Sequence, residues 1–318
     1  MNIKKPNFWD YKKPNFLAYI LSPLTLVIRL NNLFLNFSKK KKFNQIKTIC
    51  VGNIYLGGTG KTPTALKLFQ LLKGEKFNTV IGKKYYTDQK DEQILLRNKS
   101  TFISSKNRDE IINLAIEKNH ELVVFDDGLQ ERIIDYDIKI VCFDSKIWLG
   151  NRCLIPAGPL REGINSLKKY DCIFLKITDE NQNLTEIIFE IKKINPKIQI
   201  FKSRVKIENI NQFNILNEYF IFSGIGNSAS FKEILINNKF NIIEEKIFSD
   251  HYNYKDEDIH KILDISKKKN LKIITTEKDY FKIPSHLKSK INFIEINLEI
   301  EEEEKLIKYM KSKLNETS

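Results

Sequence analysis

Cysteine is scarce: Cys50, Cys142, Cys153 and Cys172 are the only four in 318 residues, and no two are spaced as CxxC. So thin a supply excludes a disulfide framework, and the spacing excludes a zinc site built on paired thiolates; both fit a reducing cytosol. Also missing are an internal repeat, a low-complexity linker and an unbroken apolar run of about 20 residues, the length a spanning helix requires. Carboxylates are outnumbered, with 40 Asp and Glu against 53 Lys and Arg, for a formal charge of +13. That surplus suits a nucleic acid or an anionic membrane. Lys, Asn and Ile are abundant along the whole length, however, so a solvated basic surface accounts for it equally well. No helix-turn-helix, zinc or RNA-recognition pattern accompanies the charge, and no nucleic-acid partner is expected. What is present is 42% hydrophobic content, enough for two domains with separate cores.

The first 45 residues stand apart. FLAYILSPLTLVIRLNNLFLNFSKKKKF (16–43) is apolar, interrupted, unlike a cleavable signal peptide, and ends in four lysines. Ser22-Pro23 reads as an N-cap with proline at the first helical position, which predicts a helix starting there. On it Arg29, Asn32 and Asn36 share one side, and Leu24, Val27, Ile28, Phe34 and Leu35 lie mainly elsewhere. Pro23, Arg29 and the asparagines argue against spanning. Two compatible readings remain: a helix in the membrane interface with Lys39 to Lys42 meeting anionic headgroups, or an amphipathic helix packed on the domain.

Beyond it, KTICVGN (47–53) is a strand pattern, followed by a glycine loop and by TPTALKLFQLLK with Ala65, Leu68, Phe69 and Leu72 at helical spacing. NTVIGKK (78–84), ELVVFDDG (121–128), DIKIVCFD (137–144) and DCIFLKIT (171–178) read as strands, and RDEIINLAIEKN (108–119) as a helix. The alternating IQIFKSRVKIEN (198–209) suits an exposed strand linking two lobes. A new α/β unit then opens with EYFIFSGIGN (218–227), continues through the helix SASFKEILINN and the strand and loop KIITTEKDY (272–280), and closes with INFIEINL (291–298) as a last strand. EEEE (301–304) opens a terminal helix. The expected fold class is α/β: a P-loop NTPase-like, mostly parallel sheet with helices on both faces, a second smaller α/β lobe and an N-terminal amphipathic helix. The expected boundaries are 1–45, 46–205 for the P-loop core and 206–318 for the smaller lobe.

VGNIYLGGTGKTP (51–63) lacks the first glycine of GxxxxGK[ST]; Tyr55 stands in its place. The cradle chemistry survives, because Gly57, Gly58, Thr59 and Gly60 can still turn backbone N–H groups onto phosphate oxygens. Lys61 can neutralise the β- and γ-phosphates, Thr62 can hold Mg²⁺, and Pro63 fits the first turn of a helix whose N-terminus favours anions. ATP and Mg²⁺ are therefore expected. The metal needs a further carboxylate from the end of a neighbouring strand, which Asp126 and Asp127 supply. A partitioning or insertion ATPase of the membrane-associated P-loop type is the alternative, but such proteins place a second lysine just before GG, where this chain has Leu56.

The motifs together resemble the tetraacyldisaccharide 4'-kinase family. VGNIYLGGTGKTP is similar to its VGNxxxGGTGKTP signature, which also lacks the first glycine, and VFDDGLQ (124–130) to its DDGxQ. LIPAGPLRE (154–162), SGIGN (223–227), FSDHY (248–252) and TTEKD (275–279) resemble further family elements, in family order. The resemblance implies transfer of the γ-phosphoryl group of ATP to the 4'-hydroxyl of an acylated glucosamine disaccharide 1-phosphate, a step of lipid A biosynthesis. It implies work at the cytoplasmic face of the bacterial inner membrane, and a monomer is expected. It also implies that Asp91, in KDEQILL, acts as base together with His251, and that Arg161, Glu162 and Gln130 lie near the acceptor, the phosphate or the metal's water. Glu277, Lys278 and Asp279 either reach the nucleotide or hold the lobes together. Two departures stand out: GKKYYT (82–87) replaces an Arg/Gly-rich run, and KDEQ replaces GDEP. Lysine cannot fork to phosphate as arginine does.

Overall fold

A computed structural model describes residues 5–37, 40–87, 89–131, 133–178 and 182–316, with only the backbone over 33–37. The helices are α1 (Phe16–Leu21), α2 (Thr25–Phe37), α3 (Lys61–Gly74), α4 (Lys90–Lys99), α5 (Arg108–Glu117), α6 (Thr185–Ile194), α7 (Ser228–Asn237), α8 (Asp256–Lys269), α9 (Glu277–Tyr280) and α10 (Glu303–Glu316). The strands are β1 (Lys47–Gly52), β2 (Thr79–Lys84), β3 (Phe102–Ser105), β4 (Leu122–Asp126), β5 (Ile138–Asp144), β6 (Cys172–Lys176), β7 (Gln199–Ile207), β8 (Glu218–Ser223), β9 (Asn241–Ile247), β10 (Lys272–Thr276), β11 (Asn292–Ile294) and β12 (Ile296–Ile300).

Eight strands form the larger sheet in the order β12-β7-β6-β5-β1-β4-β2-β3, parallel from β7 to β3. Its central strands are apolar throughout because both faces are covered: Ile49, Cys50 and Val51 of β1 and Val123, Val124 and Phe125 of β4 are fully buried. Ala65, Leu68, Phe69 and Leu72 of α3 are buried as their spacing predicts. The smaller sheet, β11-β10-β8-β9, is parallel too. INFIEINL, expected as one strand, divides at Glu295: β11 belongs to the smaller sheet and β12 to the larger.

The contacts divide the chain into two units. The P-loop unit takes residues 5–85, 100–204 and 299–318; the second takes 86–99 and 205–298. By these contacts three stretches fall elsewhere than the expected boundaries put them: residues 5–45 group with the P-loop unit, 86–99 with the second, and 299–318 with the P-loop unit again. Helix α4 lies in sequence between two strands of the P-loop sheet, yet it packs on α9, with Lys99 paired to Glu277 at 2.6 Å. The terminal helix α10 returns to the P-loop unit, where Leu306, Met310 and Leu314 are buried and Lys67 meets Glu303 at 2.7 Å.

The N-terminal helix begins earlier than expected, at α1, where the Asn15 side chain accepts from the Ala18 N–H; Pro23 occupies a 3₁₀ turn between α1 and α2. Its small or polar stripe faces the protein, with Ala18 and Thr25 buried. Phe16, Leu17, Tyr19, Ile20, Leu24, Leu26, Val27 and Leu30 are exposed, Phe16 by 77% and Val27 by 67%. Of the lysine run, Lys39 lies outside the described residues, as do the side chains of Phe34, Leu35 and Asn36. Lys41 pairs with Asp109 and Lys42 with the buried Asp137, so part of that charge is neutralised within the unit. Among the described residues no helix is long and apolar enough to cross a membrane.

Candidate active site

In the P-loop unit, β1 lies beside β4 with Val51 opposite Asp126, so the glycine loop leaves the sheet next to the two aspartates. Asn53, fully buried, organises that loop. Its Nδ2 donates to the Gly57 carbonyl at 3.3 Å and to Thr59 Oγ1 at 3.0 Å, and its Oδ1 accepts from Lys61 Nζ at 3.4 Å. The Asn53 carbonyl accepts from Gln130 Nε2 at 2.6 Å. Sequence reasoning gave Asn53 no role, although its place in VGN was the signal. Gly60 caps α3 at φ 86°, a left-handed conformation that suits glycine, and the N–H groups of the first helical turn lack intrahelical partners. The Thr59 N–H is used inside the loop, on the Gly57 carbonyl at 3.0 Å.

Tyr55 explains the missing glycine. It is 1% exposed, its hydroxyl donates to Asp10 and accepts from Lys5, and its backbone bridges to Leu160. Burial, reinforced by Asp10, raises its phenol well above the ordinary value. Its ring lies against Gly57, where an added Cβ would stand 3.4 Å from Tyr55 Cε1.

Asp126 is entirely buried. Its Oδ2 accepts from Thr62 Oγ1 at 2.9 Å and from Lys83 Nζ at 2.8 Å, while Oδ1 has no hydrogen-bond partner among the described residues. Lys83, read from the sequence only as a replacement for arginine, is thus an Asp126 partner, placed there by the β2–β4 register. Asp127 adopts φ 62° and lies 3.4 Å from Lys61 Nζ and 3.5 Å from an Arg161 guanidinium nitrogen. Burial pushes its carboxyl up, but the Lys61, Arg161 and Lys83 cations outweigh that and hold it below the ordinary range. Arg161 also donates to Gln130 Oε1 at 3.1 Å, and its carbonyl accepts from Asn32 Nδ2 of α2 at 3.0 Å. Glu162 turns into the interior, 3% exposed, with Tyr170 donating to it at 3.3 Å.

This donor set fits magnesium: a buried carboxylate oxygen without a partner stands on the residue that binds the Thr62 hydroxyl, and both are hard oxygen ligands. Among the described residues no three His, Cys, Asp or Glu side chains gather into a metal cage. An ion held largely by phosphate and water needs none.

The second unit brings together Asp91 and His251. Asp91 stands in the first turn of α4 and is 2% exposed. His251, between β9 and α8, adopts φ 56°; its N–H donates to the Gly224 carbonyl at 3.1 Å. Its Nδ1 lies 3.0 and 3.1 Å from the two Asp91 oxygens. Lys76, Asn119, Lys239 and Asn270 have positive φ at helix ends, where it is common; Asp127 and His251, like Trp148 and Arg152, adopt it in loops. Gly224 makes the turn that seats His251: a Cβ there would stand 3.0 Å from the Ser249 carbonyl oxygen and from the Tyr254 hydroxyl, and its N–H donates to Asp279 at 2.9 Å.

Lys278 Nζ lies 3.0 Å from Glu92, 3.5 Å from Asp91 and 3.6 Å from Asp250, and Lys282 Nζ 2.8 Å from Asp279 and 3.5 Å from Asp91. Burial pushes Asp91 up, but the His251 hydrogen bond and the Lys278, His251 and Lys282 charges more than offset it, leaving its carboxyl below the ordinary value.

The whole chain has relatives. A family model described as tetraacyldisaccharide-1-P 4'-kinase, LpxK, matches residues 16–315. The tetraacyldisaccharide 4'-kinase of Pelagibacter ubique (strain HTCC1062) is 42% identical over 318 residues, 99% of this chain and 99% of that one. The enzyme of that name from Rickettsia typhi is 34% identical over 312 residues, 93% of this chain and 94% of that one. The crystal structure of LpxK from Aquifex aeolicus in complex with ATP shares the fold, with a TM-score of 0.69 and 23% identity over 94% of this chain and 100% of that one. With a family match over nearly its full length and relatives this similar end to end, the chain belongs to the tetraacyldisaccharide-1-P 4'-kinase family.

Proposed function

We propose that this kinase, which phosphorylates a lipid A precursor disaccharide, divides the reaction between the two groups of residues just described. Gly57, Gly58, Thr59 and Gly60 cradle the phosphates of ATP, and Lys61 exchanges Asp127 for the β- and γ-phosphate oxygens. Thr62 and Asp126 hold magnesium, with Asp127 as the adjoining carboxylate and Arg161 and Gln130 around it. Magnesium, when bound, supplies neutralisation of the phosphate charge. At the acceptor, the 4'-hydroxyl oxygen bonds to the γ-phosphorus, the bond from that phosphorus to the β–γ bridging oxygen breaks, and the hydroxyl proton leaves.

His251 takes that proton, and Asp91 acts with it. Asp91, kept ionised by its cations, is a weak base and serves to orient the imidazole. With Nδ1 on Asp91, the neutral imidazole of His251 accepts at Nε2. The outward apolar face of α1 and α2 supports work at an anionic membrane surface, the cytoplasmic face of the inner membrane, where the acceptor's acyl chains stay in lipid.

The observation that carries the reading is the joint seating of Lys61 on Asp127 and Thr62 on Asp126 at the end of the glycine loop. The test supplies Mg-ATP and a tetraacyl disaccharide 1-phosphate in detergent micelles and measures the 4'-phosphate. Lys61→Ala and Asp91→Asn are expected to lose most turnover. Wild-type rates in Lys61→Ala would defeat the P-loop assignment, and wild-type rates in Asp91→Asn would remove the Asp91–His251 assignment alone.

A further inference from the structure

We propose that Lys278 is a positioning residue that, with Lys282, keeps Asp91 an anion and thereby fixes the tautomer of His251. The inference rests on the proton-accepting role given to His251 above.

Three groups face this carboxylate: His251 from the loop after β9, Lys278 from α9 and Lys282 from the turn beyond it. Three further carboxylates share those partners: Glu92 and Asp250 lie against Lys278 and the His251 Nε2, and Asp279 against Lys282. Four carboxylates therefore share two ammonium groups and one imidazole. Asp91, at 2% exposed, has little water to stabilise its charge, and a buried carboxylate deprived of cations takes up a proton.

The tautomer follows from that proton. An ionised Asp91 can only accept, so the His251 Nδ1–H donates to it, and in the neutral ring the lone pair stands on Nε2, which lies 4.0 Å from Glu92 and 3.8 Å from Asp250. A protonated Asp91 would donate instead; Nδ1 would then have to accept, and the ring's N–H would move to Nε2, where it blocks uptake of the hydroxyl proton. The lysines thus set which ring nitrogen is open. Anchoring alone does not account for Lys278, because Lys99 and Glu277 already tie α4 to α9 at 2.6 Å.

The experiment compares wild type with Lys278→Met and Lys278→Arg in the lipid kinase assay, and records the ¹⁵N shifts of His251 with no substrate present. Lys278→Met is expected to lower kcat about tenfold or more with little change in KM for ATP. It should move the acidic limb of the rate profile up by about one pH unit, since losing a cation favours the protonated forms around it. The His251 shifts should pass from the Nδ1–H form toward the Nε2–H form, and Lys278→Arg should restore most of both. An unchanged tautomer in Lys278→Met, or equal impairment in Lys278→Arg, overturns the proposal. Absence of lipid phosphorylation by the wild type would defeat the catalytic reading alone, because the ring spectrum decides the clamp without turnover.

Discussion

Lys83 allows the hold on the loop's carboxylates to be measured. Its side chain is 2% exposed and its ammonium lies 2.8 Å from the oxygen of Asp126, which is itself wholly buried. Lys83→Met keeps the stem and deletes the charge, leaving Asp126 Oδ2 with the Thr62 hydroxyl. Breaking a buried ion pair from one side costs about 3–5 kcal/mol, whereas removing both charges together is close to neutral. For a domain of this size each kcal/mol lowers the midpoint by about 2–4 °C, so Lys83→Met should melt roughly 6–20 °C below wild type. The double variant Lys83→Met/Asp126→Asn should recover most of that loss. Thermal unfolding followed by circular dichroism, without nucleotide, closes the double-mutant cycle. A single variant melting with wild type, or a double variant melting below Lys83→Met, would show that the pair is not held as a buried charge couple and refute the reasoning.

Gly224→Ala should slow turnover about tenfold while leaving nucleotide binding intact, because the new methyl group must push against the Ser249 carbonyl and tilt the turn that seats His251; full activity would refute that account. The folded Asp91 titrates below its ordinary value of 3.8, so its contribution to stability is fully present above about pH 4 and is lost as pH falls through the folded value. Acid unfolding of Asp91→Asn should therefore be less steep below pH 4, and a curve parallel to wild type would contradict the depressed pKa. Phe16→Glu/Val27→Glu should reduce flotation with anionic vesicles and leave the melting temperature unchanged, since both side chains are mostly exposed; unchanged flotation would remove this face from membrane contact.

What was legible in the sequence is what the backbone demands locally. GGTGKT must be small and flexible to make its turn into α3, and DDG must end a buried strand, so both features are written in consecutive residues. Long-range partners leave no such mark. Lys83 reads as an ordinary strand lysine until the β2–β4 register sets it against Asp126. INFIEINL keeps one alternating pattern although its halves pair in different sheets, because period-2 alternation records a buried face and not which sheet supplies it. Helix α4 is the most consequential case. Sequence adjacency assigns it to the P-loop core, but its first turn carries Asp91, and Lys278 and His251, which stand far along the chain, are groups that this carboxylate meets. The excursion from β2 into the second unit and back to β3 is what lets a residue encoded inside the nucleotide-binding sequence serve the imidazole instead. The KDEQ segment therefore depends on the environment it is delivered to, and a substitution at Lys278 should alter the chemistry of Asp91 more than any change in the P-loop strands that flank α4 in sequence.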